Sequence, residues 1–84
     1  MKPVRVYSTT FCGYCVLAKR LLGQRGIAFE EIDVSGDREA RAWLVQATGR
    51  RTVPQIFIGE EAIGGFEELR ALDRSGELGK KLVA

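Results

Sequence analysis

The order of periodic segments at the start of the chain restricts the fold more than any other feature. Val4–Ser8 is a short β-rich run, apolar spacing predicts a helix from 13 to about 25, and residues 28–34 form a second strand-like run. A strand–helix–strand unit of this kind places its two strands parallel, with a right-handed crossover. The chain is therefore predicted to begin as an α/β protein.

The rest of the chain continues this alternation and adds a hairpin. Its predicted elements are a helix between 37 and 49, strands at 55–58 and 62–63, a helix between 66 and 76, and a short helical segment at 78–82. The hairpin must add antiparallel strands to the parallel pair. We predict an α/β fold in a single domain, residues 1–84, with a four-stranded mixed sheet flanked by three or four helices. Trp43 is expected to anchor the core.

The only two cysteines, Cys12 and Cys15, lie where the first strand gives way to the first helix. Unpaired N–H groups and the helix dipole at such a position stabilise a thiolate. The second cysteine is one turn away on the same face, within bridging distance of the first. The pair therefore predicts a redox function. The chain has no histidine, which removes a histidine base, and two cysteines are too few for a zinc site.

Composition excludes several classes of partner. The net charge of +2 is small and the basic residues are scattered, so no nucleic-acid partner is predicted. No apolar run reaches the roughly 20 residues of a membrane span. Charges at Lys2 and Arg5 are atypical of a signal peptide, so we expect a cytoplasmic protein. In that reducing compartment a catalytic cysteine pair is favoured over a structural disulfide.

Three ordered segments resemble the glutaredoxins, which are small thioredoxin-fold oxidoreductases that use glutathione. The segments are Val6-Tyr7-Ser8 leading to Cys12-Gly13-Tyr14-Cys15, then Thr52-Val53-Pro54-Gln55-Ile56-Phe57-Ile58, then Ile63-Gly64-Gly65-Phe66-Glu67-Glu68-Leu69. The chain is most similar to the compact bacterial dithiol branch, and the resemblance implies a thioredoxin-like fold. It also implies that Cys12 is the nucleophile and Cys15 the resolving cysteine. Expected partners are glutathione as co-substrate and disulfide-containing or glutathionylated proteins, with a monomeric protein and no tightly bound cofactor.

The resemblance further implies a glutathione site, whose predicted residues are Tyr14, Arg51, Thr52, Val53, Pro54, Gly65, Phe66 and Glu67. Ordinary interpretations stand beside several of these assignments. Tyr14 has the helical spacing of a core aromatic residue. An X–Pro bond such as that of Pro54 is usually trans, whereas the resemblance implies that it is cis and lies opposite the nucleophile. The pair at 64–65 also fits a bulge leaving the hairpin. Arg50 and Arg51 are either solvated loop charges or contacts to the glycyl carboxylate, and the sequence does not choose between the two arginines.

Two positions depart from the family pattern and open alternatives. Gly13 stands where proline is common, and Thr9 stands where relatives usually carry lysine near the thiolate. Since some glutaredoxin-like proteins with a small residue after the first cysteine bridge an iron–sulfur cluster, one alternative is a homodimer holding a [2Fe–2S] cluster through Cys12 and glutathione. Another alternative is a redoxin that is reduced by a flavoprotein reductase instead of glutathione.

Overall fold

A computed structural model describes all residues from Met1 to Ala84 and shows one four-stranded sheet with four helices. The strands are β1 (Val4–Ser8), β2 (Glu30–Asp33), β3 (Gln55–Ile58) and β4 (Glu61–Gly64), and the helices are α1 (Gly13–Gln24), α2 (Arg38–Thr48), α3 (Phe66–Ser75) and α4 (Glu77–Val83). The strand order is β2-β1-β3-β4. None of the four helices combines the length and apolarity needed to cross a bilayer.

The centre of the sheet is the pair β1 and β3. β1 runs parallel to β2, with Tyr7 opposite Ile32, and antiparallel to β3, with Tyr7 opposite Gln55. β4 pairs antiparallel with β3 through the predicted hairpin. The mixed four-stranded sheet inferred from the strand–helix–strand start and the hairpin is therefore confirmed.

The larger core lies on the face of the sheet that α1, α3 and α4 cover. Because strand side chains alternate between faces, Val4 and Val6 of β1 and Ile56 and Ile58 of β3 all point to this side. The helices contribute buried residues at helical spacing, namely Ala18, Leu22, Leu69, Leu78 and Leu82. Ile27 joins this core directly after α1, where Gly26 adopts a positive φ of 68° and the Ile27 N–H donates to the Leu22 carbonyl at 2.9 Å. The predicted end of the first helix is therefore confirmed.

A second, smaller core lies on the opposite face, under α2. Its buried members are Tyr7, Val34, Leu44 and Phe57. Trp43 stacks on the rim of this cluster, with ring centroids 5.5 Å from Tyr7 and 5.7 Å from Phe57, but it is 45% exposed. The prediction that Trp43 anchors the core is therefore wrong. Because α2 is the only helix on this face of the sheet, the side of α2 that carries Trp43 faces solvent.

The second strand is shorter than predicted. Residues 28–34 were expected to pair, whereas β2 comprises only Glu30–Asp33. Its only partner is the five-residue β1, whose positions 5–8 meet all four of its residues. At its carboxyl end the ladder stops where β1 stops, although Val34 remains fully buried beyond it.

The larger core predicts the cost of truncating its side chains. Leu69 is fully buried, so Leu69→Ala should lower the free energy of unfolding by about 2–5 kcal/mol through lost burial and the cavity left behind. Val83 is 78% exposed, so the control Val83→Ala should change that free energy by less than about 0.5 kcal/mol. Urea unfolding followed by circular dichroism measures both, and equal losses would contradict the assignment of the core.

Candidate functional site

The cysteine pair lies at the first turn of α1. Cys12 is the N-cap residue, with extended backbone, and its Sγ accepts a hydrogen bond from the Cys15 N–H at 3.1 Å. The two residues are joined by a disulfide, with 5.2 Å between their Cα atoms. Cys15 is 1% exposed, whereas Cys12 is only partly buried. The pair is therefore asymmetric, with one sulfur at the surface and one inside.

The loop that delivers Cys12 is tied to the end of β2. The Thr10 N–H donates to the Ser35 Oγ at 2.8 Å, and the Thr10 hydroxyl donates to Asp33 at 3.3 Å. The Ser35 backbone N–H donates to Asp33 at 2.7 Å and is the main reason that the pKa of this carboxyl lies below its usual value. Ser35 was not among the predicted site residues, although short polar residues after two parallel strands are a signal for such a contact.

The loop before β3 faces the cysteines from the other side. The Val53–Pro54 peptide bond is cis, as the resemblance implied. The Val53 carbonyl oxygen lies 3.7 Å from the Cys12 Sγ. Val53 precedes the β3 ladder, and neither its N–H nor its C=O takes part in a backbone hydrogen bond. An unpaired strand-like segment therefore lies directly beside the sulfur.

A groove of about 310 Å³ opens next to this loop. It is lined by Tyr14, Arg50, Thr52, Val53, Pro54, Gly65, Phe66, Glu67 and Glu68. Seven of the eight predicted glutathione residues lie around this groove, and their contact with glutathione stays a prediction. The exception is Arg51, which lines a neighbouring concavity, while Arg50 lines both. Tyr14 is 59% exposed and stacks on Phe66 at 6.2 Å, so the interpretation of Tyr14 as a core residue is wrong.

Glu68, which the sequence did not single out, organises one wall of the groove. Its carboxylate accepts the Gly65 N–H at 2.7 Å and pairs with Arg50 at 3.1 Å. The bond from the Gly65 N–H is the main reason that the pKa of Glu68 lies below its usual value, and Arg50 adds to it. The signal was available, since a Glu three residues after a helix N-cap forms half of a capping box.

The glycine pair is explained by steric limits in this wall. Gly64 has a φ of +109°, and a Cβ there would come within 2.6 Å of the Glu68 carboxylate. A Cβ on Gly65 would lie 3.2 Å from the Pro54 carbonyl oxygen. The β3–β4 register also shifts next to this point, between Ile56 and Phe57. The bulge interpretation is therefore confirmed, and the absence of side chains lets α3 begin directly against the Pro54 loop.

The structure has open space at Gly13 and Thr9, the two positions that depart from the family pattern. Gly13 is the first residue of α1, and a Cβ there would meet nothing within 4 Å. Thr9 lies in a shallow concavity with Phe11, which is 97% exposed. No group of three or more cysteine or acidic side chains is arranged to hold a metal, and Cys15 is buried. One chain does not fit a [2Fe–2S] cluster by itself, and the two-chain alternative stays a prediction.

These features together define a class of protein. A cysteine pair at the start of the helix that follows β1, facing a cis-proline loop before β3, is the arrangement of a thioredoxin-fold dithiol oxidoreductase. The family model described as Glutaredoxin matches residues 4–63. The chain belongs to the glutaredoxin family.

Known relatives agree with this assignment over the whole chain. A glutaredoxin from Pseudomonas aeruginosa is 48% identical over 84 residues, covering 100% of both chains. The solution structure of a glutaredoxin from Brucella melitensis is 44% identical with a TM-score of 0.87, covering 98% of this chain and 89% of that one. The crystal structure of a buckwheat glutaredoxin–glutathione complex is 38% identical with a TM-score of 0.89, covering 98% of this chain and 77% of that one.

The position of Glu68 predicts a pH-dependent contribution to stability. Because its pKa is lowered in the folded protein, its carboxylate stabilises the fold above about pH 4.3, the pKa of an unperturbed Glu. This stabilisation is lost as the pH falls through the lower pKa of the folded state. Glu68→Gln keeps an acceptor for the Gly65 N–H but loses the charge, so its free energy of unfolding should be lower than that of the wild type at neutral pH. Glu68→Ala loses both the acceptor and the charge, so its free energy of unfolding should be lower than that of Glu68→Gln.

Urea unfolding between about pH 7 and pH 3 measures this effect. The difference between wild type and Glu68→Gln should narrow as the pH falls, because the wild-type carboxylate becomes protonated. Glu60 has no hydrogen-bond or ion-pair partner, so Glu60→Gln is the matched control. A difference that stays constant with pH would contradict the role assigned to the Glu68 charge.

Proposed function

We propose that the protein is a glutathione-dependent thiol–disulfide oxidoreductase that reduces protein disulfides and glutathione mixed disulfides. The observation that carries this proposal is the asymmetry of the cysteine pair. Cys12 is partly exposed at the helix N-terminus, while Cys15 is 1% exposed one turn later. A substrate sulfur therefore meets Cys12 first, which supports Cys12 as the nucleophile and Cys15 as the resolving cysteine.

The surroundings of Cys12 favour the thiolate that the first step requires. Its Sγ accepts the Cys15 N–H at 3.1 Å and lies at the positive end of the α1 dipole. In the first step the Cys12 thiolate attacks one sulfur of a substrate disulfide, an S–S bond forms to Cys12, and the other substrate sulfur leaves as a thiolate. No general base is needed, in agreement with a chain that has no histidine.

Two routes complete the cycle. With a protein disulfide, the Cys15 thiolate attacks the Cys12 sulfur, releases the substrate thiol and forms the Cys12–Cys15 disulfide, which two glutathione molecules reduce while becoming glutathione disulfide. With a glutathionylated substrate, the glutathione moiety is transferred to Cys12. A second glutathione then displaces it, yielding glutathione disulfide and the Cys12 thiolate. Both routes balance, since every bond broken is an S–S bond exchanged for another.

The groove beside Cys12 fits the extended tripeptide glutathione. The free N–H and C=O of Val53 are able to pair with its cysteinyl backbone as an added strand would. The first N–H groups of α3, at Phe66 and Glu67, are suited to the γ-glutamyl carboxylate, and the Glu67 carboxylate to the amino group. Arg50, which lines the groove, is the better candidate than Arg51 for the glycyl carboxylate. The buckwheat glutaredoxin described above, whose fold is the same, is in complex with glutathione.

Cysteine variants test the assigned roles. Cys12→Ser should reduce turnover of both substrate types to the uncatalysed rate, because it removes the nucleophile. Cys15→Ser should keep turnover of a glutathionylated peptide within a few-fold of the wild type but lose most reduction of a protein disulfide. Glutathione disulfide formation, followed with glutathione reductase and NADPH, measures both rates.

The same assay separates the proposal from its alternatives. Activity that persisted in Cys12→Ser would contradict the nucleophile assignment. Reduction of the Cys12–Cys15 disulfide by glutathione alone, measured by thiol trapping, is expected. If glutathione failed and a flavoprotein disulfide reductase succeeded, the dependence on glutathione would be refuted.

A further inference from the structure

Four arginines that are scattered in the sequence meet in one cleft beside the groove. Arg38 and Arg41 of α2, together with Arg50 and Arg51 of the following loop, line a concavity of about 430 Å³ that extends to Val53. We refer to this concavity as the arginine cleft. The small net charge of +2 concealed this local concentration of positive charge.

Most of this charge has no counter-ion. Among the six ion pairs of the structure only one involves the cleft, between Arg50 and Glu68. Arg38, Arg41 and Arg51 are exposed and pair with no carboxylate. The neighbouring acid Asp37 instead accepts the Ala40 N–H at 3.0 Å as the cap of α2. The cleft therefore presents three uncompensated positive charges.

Helix stability does not account for the two arginines of α2. Arg38 is the first residue of the helix, where the dipole disfavours a cation, while the last turn, which favours cations, has no basic residue. Arg38 and Arg41 are also three positions apart, a spacing at which like charges repel. Both effects oppose folding, so the arrangement points to recognition of a negatively charged partner.

The arginine cleft is continuous with the proposed glutathione groove. The two concavities share Arg50, Thr52 and Val53, and the Val53 carbonyl lies 3.7 Å from the Cys12 Sγ. Arg38 and Arg41 line the cleft and lie outside the groove. They are therefore placed to contact the part of a substrate polypeptide that extends beyond its reacting cysteine, and not the glutathione.

We propose that the arginine cleft binds acidic side chains of the polypeptide that flanks the substrate cysteine, which makes it a specificity determinant for protein substrates. The proposal rests on the proposed function. A polypeptide is favoured over a nucleic acid because the cleft adjoins the loop beside the Cys12 sulfur, where the polypeptide that carries the substrate cysteine must lie. Exposed charge pairs act mainly on encounter rate and are screened by salt.

Glutathionylated peptides with matched sequences test this proposal. Three peptides of equal length carry one cysteine–glutathione mixed disulfide, flanked on both sides by Glu, by Gln or by Lys. The kcat/KM of deglutathionylation is measured at low and at high ionic strength for the wild type and for Arg38→Gln/Arg41→Gln. The matched control is Arg20→Gln/Arg74→Gln, because these exposed helical arginines also lack ion pairs and do not line the cleft.

The wild type should prefer the Glu peptide over the Gln peptide by about three- to tenfold at low ionic strength, and salt should reduce the preference. Arg38→Gln/Arg41→Gln should bring that ratio close to one while leaving the Gln peptide unaffected, and the control should keep the wild-type ratio. Equal loss in the control, or no preference in the wild type despite turnover of the Gln peptide, would overturn the cleft proposal alone. A wild type that turned over none of the three peptides would contradict the proposed function, and the cleft proposal with it.

Discussion

The antiparallel pairing of β1 with β3 is the constraint on which the site depends. Tyr7 lies opposite Gln55 at the end of this ladder, so the segment leaving β1 and the segment entering β3 lie side by side at one edge of the sheet. Cys12 and Val53, which are 41 residues apart in sequence, therefore come within 3.7 Å of each other. Parallel pairing with β2 brings Ser35 to the same edge, where it holds the loop ahead of Cys12. The register of the sheet thus positions the Cys12 sulfur, the loop at Val53 and the Ser35 side chain that holds the Cys12 loop.

Features that depend on local chemistry were predictable from the sequence. Helices α2 and α3 end where glycines with positive φ stand, at Gly49 and Gly76, and Asp37 caps α2 at the predicted start of that helix. Features set by distant partners were not. The carboxyl end of β2 depends on how far β1 extends, which no local pattern contains. Helical periodicity placed Trp43 on the inner side of α2 but did not show that the covering layer ends there.

The candidate site also combines features set by local chemistry with features set by distant partners. The cysteine pair, the proline and the glycine pair were recognisable as motifs, but the separate positions of Arg50 and Arg51 depend on the turn that follows α2. There the Thr48 hydroxyl donates to the Leu44 carbonyl at 2.7 Å and accepts the Arg50 N–H at 3.1 Å. This turn brings the two arginines back beside α2, so charges that are spread along the sequence meet in space. Net charge, which is a sum over the chain, carries no information about such an arrangement.

The unequal size of the two cores has a consequence for local unfolding. Ten buried residues form the core between the sheet and α1, α3 and α4, whereas four form the core between the sheet and α2. The free energy of local opening increases with the number of apolar contacts that opening breaks. We therefore expect the amide protons of α2 to exchange with solvent through the local opening of lowest free energy among the four helices. Arg38 and Arg41 of the arginine cleft lie on this helix, while the two sulfurs are fixed by the start of α1. Local opening of α2 therefore moves the two arginines on one face of the sheet and leaves the cysteine pair, which α1 holds on the other face, in place.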